Sequence, residues 1–202
     1  MSTGWLQTTL TNLYEEAFDS LEVPIRACPD ELWGASMWEV RMTDRHVWPI
    51  VRGMGEDLPD EERLQLHSAF GNIAYHVLFF LDHYLSGGIG PAEPPPPFRG
   101  DEQDPHTLPH RMYTRDELLE YLGFCRRKAE SVLAGLTEEQ LERPARIGWP
   151  FGDLLIRNVI QVTDHAAQLS LFLNRAAGWS DPRWTTRDRW FRRCPDCPDE
   201  GM

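Results

Sequence analysis

The sequence predicts an all-α protein, a four-helix bundle with a long proline-rich crossover between helices two and three. Three observations predict it. Apolar residues recur at spacings of three and four in four long stretches. No stretch shows the strict alternation of a half-buried strand. Between the second and third stretches, Ser86 to Tyr113 carries Pro91, Pro94 to Pro97, Pro105 and Pro109, which exclude a helix and favour extended, polyproline-like backbone.

The first stretch places Leu6, Leu10, Leu13, Ala17 and Leu21 on one stripe, with Glu15, Glu16 and Asp19 outward and Pro24 closing the helix. From Pro24 to Pro59 the prolines and glycines allow only short helical turns. Asp60, Glu61 and Glu62 then form an acidic first turn, suited to the positive end of a helix dipole. Phe70, Ile73, Val77, Leu81 and Tyr84 continue that helix to about Leu85, before Gly87 and Gly88. Beyond the crossover, Thr114 with Glu117 reads as a capping box, followed by Leu118, Leu122, Cys125, Ala129, Val132 and Leu136. A second box, Thr137 with Gln140, opens a short turn that Pro144 ends. The fourth long helix carries Leu155, Val159, Val162, Ala166, Leu169 and Leu173, and ends near Gly178.

At 202 residues the chain can bury a core without disulfide or metal support. One domain is expected over residues 1–180, with a tail, 181–202, packed on the bundle or partly mobile. The net charge of −12 argues against nucleic acid and against an anionic membrane surface, both of which draw their affinity from Lys and Arg. The longest uncharged apolar stretch, Ile73 to Leu81, is too short to span a bilayer, and the N-terminus has no basic segment ahead of an apolar run. The four cysteines, Cys28, Cys125, Cys194 and Cys197, do not form a secreted disulfide framework, so a reducing cytoplasm is the default. Cys194 and Cys197 have the spacing of half a zinc knuckle, for which His106 and His110 are the other candidate ligands. A redox pair and two thiols on an acidic tail are the alternatives.

Beside the core stripe of the fourth helix runs a second line, Asn158, Gln161, His165, Gln168 and Phe172, whose polar members suggest a lined interior cavity. On the second helix His76 lies among apolar neighbours, where an imidazole needs either a metal ion or a hydrogen-bond partner. Bundle cores build metal sites from facing helices, and core histidines held by hydrogen bonds give the same pattern. His83 lies about two turns, roughly 10 Å, beyond His76, too far to share one ion, and is expected at the rim or on the surface. No phosphate-binding glycine loop and no Ser, His and Asp arrangement can be assembled.

Gly71-Asn-Ile-Ala-Tyr-His76-Val-Leu-Phe-Phe-Leu-Asp-His-Tyr-Leu85 and Asn158-Val-Ile-Gln-Val-Thr-Asp-His165-Ala-Ala-Gln-Leu169 resemble the DinB-like superfamily of metalloenzymes, over most of the chain. The resemblance implies a four-helix bundle holding a divalent metal (Zn, Ni, Fe or Mn) through one His of the second helix and two of the fourth. It also implies chemistry on a small molecule, with relatives that transfer low-molecular-weight thiols, and a possible homodimer. His76 matches the first ligand, and His165 with Gln168 matches the family's His-x-x-Gln pattern. Where the remaining His is expected, this chain has Gln161, whose neutral amide is a far weaker ligand for a transition metal. Asp164 lies about 100° around the helix from His165 and is expected to support the site rather than bind the ion.

Two functions follow. In one, an ion at His76, His165 and Gln161 activates a thiol or water against an electrophilic substrate, with Gln168 orienting a ligand. In the other, the bundle has lost the metal triad and serves as a binding or interaction protein.

Overall fold

The computed structural model describes residues 4–41, 52–102 and 106–185. They are helical, with no strand among them and only isolated β-bridges. The long helices are α1 (Gly4–Ala27), α4 (Phe70–Leu85), α5 (Arg115–Ala134) and α7 (Phe151–Ala177). Short helices α2 (Asp30–Trp33), α3 (Asp60–His67), α6 (Glu138–Glu142) and α8 (Pro182–Thr185) lie between and after them. α1 and α4 each pack against both α5 and α7. None of the described helices is long and apolar enough to cross a membrane.

α1 buries Leu10, Tyr14, Ala17, Phe18, Leu21 and Ile25. The predicted stripe is thus turned slightly: Leu13 is exposed, and the aromatic rings beside it face inward. Pro24 does not close the helix, which continues to Ala27. A proline inside a helix removes one hydrogen bond. Burying Pro24 and Ile25 in the core offsets that loss.

The second predicted helix is two helices, and the break is specific. Ala69 is extended (φ −63°, ψ 141°) and bridges to Ser36. Ser68 O accepts from Met37 N at 2.9 Å, and Phe70 N donates to Ala35 O at 3.0 Å. The chain exchanges one turn of helix for these bonds, and Asn72 Nδ2 reaches back to Leu66 O (2.6 Å) to close α3. α4 is then buried on nearly every side, between α5, α7 and the proline-rich segment.

Both capping boxes form, at Thr114–Glu117 and Thr137–Gln140. α7 ends as predicted at Gly178, in the left-handed region with φ 64°. Single polar groups tie the long helices together. Asn158 Nδ2 donates to Tyr14 Oη (3.2 Å) and to Leu81 O (3.1 Å), joining α7 to α1 and α4, and Tyr14 donates to Leu155 O. Asp82 of α4 accepts from Tyr121 (2.9 Å) and pairs with Lys128, both on α5.

The proline-rich segment is folded onto this core. Its Phe98 is buried and stacks on Tyr121, while its Glu102 is buried and accepts from Tyr75 and Tyr113. Residues 106–109 pair with 52–54: Arg52 N donates to His106 O, Leu108 N to Arg52 O and Met54 N to Pro109 O. Gly53, at φ 101°, makes this pairing possible, because a Cβ there would meet Leu108 O at 2.0 Å.

Candidate functional site

α4 and α7 bring the two predicted histidines together. The rings of His76 and His165 stand 5.4 Å apart, edge to face. Both are half-buried, and His76 also packs against Phe80 at 4.8 Å. The spacing suits a shared ion: two imidazoles on one tetrahedral metal have ring centres about 5 Å apart.

Gln168, one turn along α7, places its Oε1 2.8 Å from His165 Nδ1. With the amide oxygen accepting, the imidazole carries its proton on Nδ1 and presents the Nε2 lone pair outward. Gln168 therefore touches a site histidine, a contact additional to the ligand-orienting role that the sequence suggests.

Gln161 lies four residues before His165, on the same face of α7. Its Oε1 is buried and has no hydrogen-bond partner among the described residues. Asp164 is exposed. Among the described residues no three His, Cys, Asp or Glu side chains gather as a metal-binding group. The buried Gln161 amide oxygen, unpartnered among the described residues, has the chemistry of a further ligand.

The histidines open on a hollow of about 190 Å³, lined by His76, His165, Gln168, Trp38, Asn72 and Thr107 among others. Asn72 Oδ1 and Thr107 Oγ1 are further buried acceptors without partners among the described residues. Larger hollows exist, including one of about 550 Å³ along α7 toward Glu16 and Ser20, but it contains neither histidine. Chemistry rather than size selects the smaller one.

Other sequence candidates fall elsewhere. His83 is half-buried against Phe79 and Tyr84 rather than on the surface, and burial, with Arg146 nearby, holds its imidazole below the ordinary pKa. Asn158 is wholly buried and ties helices together instead of lining a cavity. His110 pairs with Glu102. Cys194 and Cys197 lie outside the described residues. Cys28 and Cys125 are buried free thiols, and burial pushes the Cys28 thiol up to about 12, far from a reactive thiolate.

The sequence does not point to several walls of the hollow: Trp38, between Pro24 and Pro59, His67 at the end of α3, Thr107, Leu108 and Pro109 of the proline-rich segment, and Asn72, inside the quoted α4 motif. Only Asn72 leaves a local signal, a polar residue on an otherwise apolar helix.

No curated protein and no solved structure matches the chain. The sequence pattern of the DinB superfamily matches residues 39–169, a span that begins after α1 and includes His76, Gln161, His165 and Gln168. With that match covering well over half of its length, the chain belongs to the DinB superfamily.

Proposed function

We propose that this protein is a four-helix bundle with a proline-rich crossover that acts as a metal-dependent enzyme on a small molecule. Its divalent ion would be held by His76, His165 and the Gln161 amide oxygen, and its reaction would transfer a low-molecular-weight thiol to an electrophile. The observation that carries this reading is the meeting of His76 and His165 at 5.4 Å, with the unpartnered Gln161 oxygen one turn away on α7. Family membership supports it. When bound, the ion supplies a thiol or water ionised at neutral pH.

The chain's own residues contribute the rest. Gln168 fixes the tautomer of His165, so that one nitrogen stays available without a proton. Trp38, Ile73 and Leu108 give the hollow apolar walls that limit water at the histidines. Asn72 Oδ1 and Thr107 Oγ1 offer acceptors to hold a substrate N–H or O–H.

A second reading rests on Gln161 itself, a neutral amide where an imidazole is expected. In it, the same hollow binds a small molecule without metal and without turnover. Metal analysis of protein purified without a nickel column decides between them. The catalytic reading expects about one ion per chain in the wild type, little in His76→Ala, and tighter retention in Gln161→His. A metal-free wild type beside a metal-bearing Gln161→His would establish the second reading.

A further inference from the structure

A hollow of about 190 Å³ admits the reactive end of a substrate but not the whole of it, since small-molecule pockets usually run to about 300–1,000 Å³. The remainder needs somewhere to lie. Trp38 and Gln168, which line the histidine hollow, also line a second one of about 490 Å³, whose other walls include Met37, Phe172 and Arg175.

Along α7, His165, Gln168, Phe172 and Arg175 follow at intervals of three, four and three, so they share one face of the helix. From His165 to Arg175 the axis advances about 15 Å. In order, that face offers a candidate metal ligand, an amide, an aromatic ring and a guanidinium. Trp38 and Met37 stand by the middle of the line and make it apolar.

Arg175 is also the guanidinium of this hollow. Like Arg63, Arg127, Arg143, Arg146 and Arg157, Arg175 makes no ion pair among the described residues, but of these it alone lines the hollow of about 490 Å³. In a chain of net charge −12, most of the surface repels anions. An unmatched guanidinium at the far end of an apolar hollow selects one.

We propose that the molecule acted on is an elongated monocarboxylate. Resting on the function proposed for the histidine pair, its reactive group sits at His76 and His165, its apolar body lies between Trp38 and Phe172, and its carboxylate meets Arg175. The guanidinium fork matches a carboxylate in two parallel hydrogen bonds, which a lysine ammonium cannot do.

Calorimetric titration with three probes tests this: 8-mercaptooctanoate, 8-mercapto-1-octanol and octanoate. At low salt the wild type is expected to bind the mercaptocarboxylate about three- to fivefold more tightly than the mercaptoalcohol, the modest gain of a solvent-facing ion pair. High salt narrows the difference. Arg175→Gln abolishes it, and Arg175→Lys keeps part of it. His76→Ala loses the advantage of the mercaptocarboxylate over octanoate but retains the preference for a carboxylate.

A wild type that binds neither mercapto probe, or binds both equally, overturns the proposal, as does an Arg175→Gln variant with the preference intact. A wild type that favours carboxylates but gains nothing from the thiol overturns instead the assignment of the histidine pair as the reactive end, and with it the orientation of the bound molecule along α7.

Discussion

Replacing Glu102 with alanine is expected to cost about 3–5 kcal/mol of stability, the scale of breaking a buried, fully bonded charge. The side chain is 3% exposed. Its Oε2 accepts from Tyr113 Oη at 2.5 Å, Tyr75 Oη at 2.9 Å and Arg99 N at 3.1 Å, while Oε1 faces His110 N at 3.2 Å and His110 Nδ1. Alanine strands the Tyr75 hydroxyl and leaves that of Tyr113 only the long bond to Pro97 O (3.5 Å), each at about 1–3 kcal/mol, and adds smaller losses at the backbone donors. Burial by itself would push the carboxyl up, but the hydrogen bonds from Tyr113, His110 and Tyr75 outweigh it and hold the group below the usual carboxylate range. A depressed folded-state pKa means that the stabilisation is complete above the unfolded value, about 4.3, and disappears as pH falls through the folded one. Urea unfolding provides the assay, read as a lower midpoint at unchanged slope. Glu102→Gln, which keeps the shape and loses the charge, is expected to cost about 1–2 kcal/mol at pH 7, with the gap to wild type closing below about pH 4. An alanine variant within about 1 kcal/mol of wild type, or a glutamine gap that persists in acid, would refute this account.

Asn158→Ala removes the amide that joins α7 to α1 and α4 and leaves Leu81 O without that donor, so a loss of about 2–3 kcal/mol in thermal or urea unfolding is expected. Thr114→Ala takes away one half of the α5 capping box and should lower stability by about 1 kcal/mol. In the same box, the hydrogen bond from Arg111 draws the Glu117 carboxyl down to about 2. Because that pair faces solvent in part, Glu117→Gln should cost less than about 1 kcal/mol above pH 5, and the deficit should fade as pH falls from about 4 toward 2.

Much of this fold is legible in the sequence because the responsible residues are close together along the chain. The two capping boxes need only four residues each, and the buried faces of α4, α5 and α7 follow from helical spacing. Where sequence and structure differ, distant partners decide the outcome. Pro24 reads as a stop, but the core receives its ring and Ile25, and the helix continues. Residues 60–85 read as one helix because apolar periodicity carries across Ser68 and Ala69, whereas Ala35, Ser36 and Met37 supply the bonds that break it. Glu102, an acid within a proline-rich stretch, carries no local sign of burial, because its partners Tyr75 and Tyr113 lie on other segments. His76 and His165 can be paired from sequence because each lies on the inner face of a long helix. The walls of their hollow cannot, since Thr107 reaches it only through the pairing of residues 106–109 with 52–54.

Buried polar groups in this protein divide in a way that bears on the site. Glu102 and Asp82 have their bonds closed by residues far along the chain, and these groups hold helices and segments together. Among the described residues Gln161 Oε1, Asn72 Oδ1 and Thr107 Oγ1 are left open, as are Asn158 Oδ1 and Ser170 Oγ elsewhere on α7, and of these Asn72 and Thr107 stand on the wall of the histidine hollow. An unsatisfied buried acceptor costs about 1–3 kcal/mol, a loss that a bound ion or donor would return. Gln161→Leu, of similar size and without the amide, separates the possibilities. If Gln161 serves a ligand, the leucine variant should unfold at an equal or higher urea midpoint in metal-free buffer, yet gain less stability than the wild type when Zn, Ni, Fe or Mn is added. A leucine variant that is less stable without metal would instead make Gln161 a structural residue, and the candidate metal site would be reduced to His76 and His165.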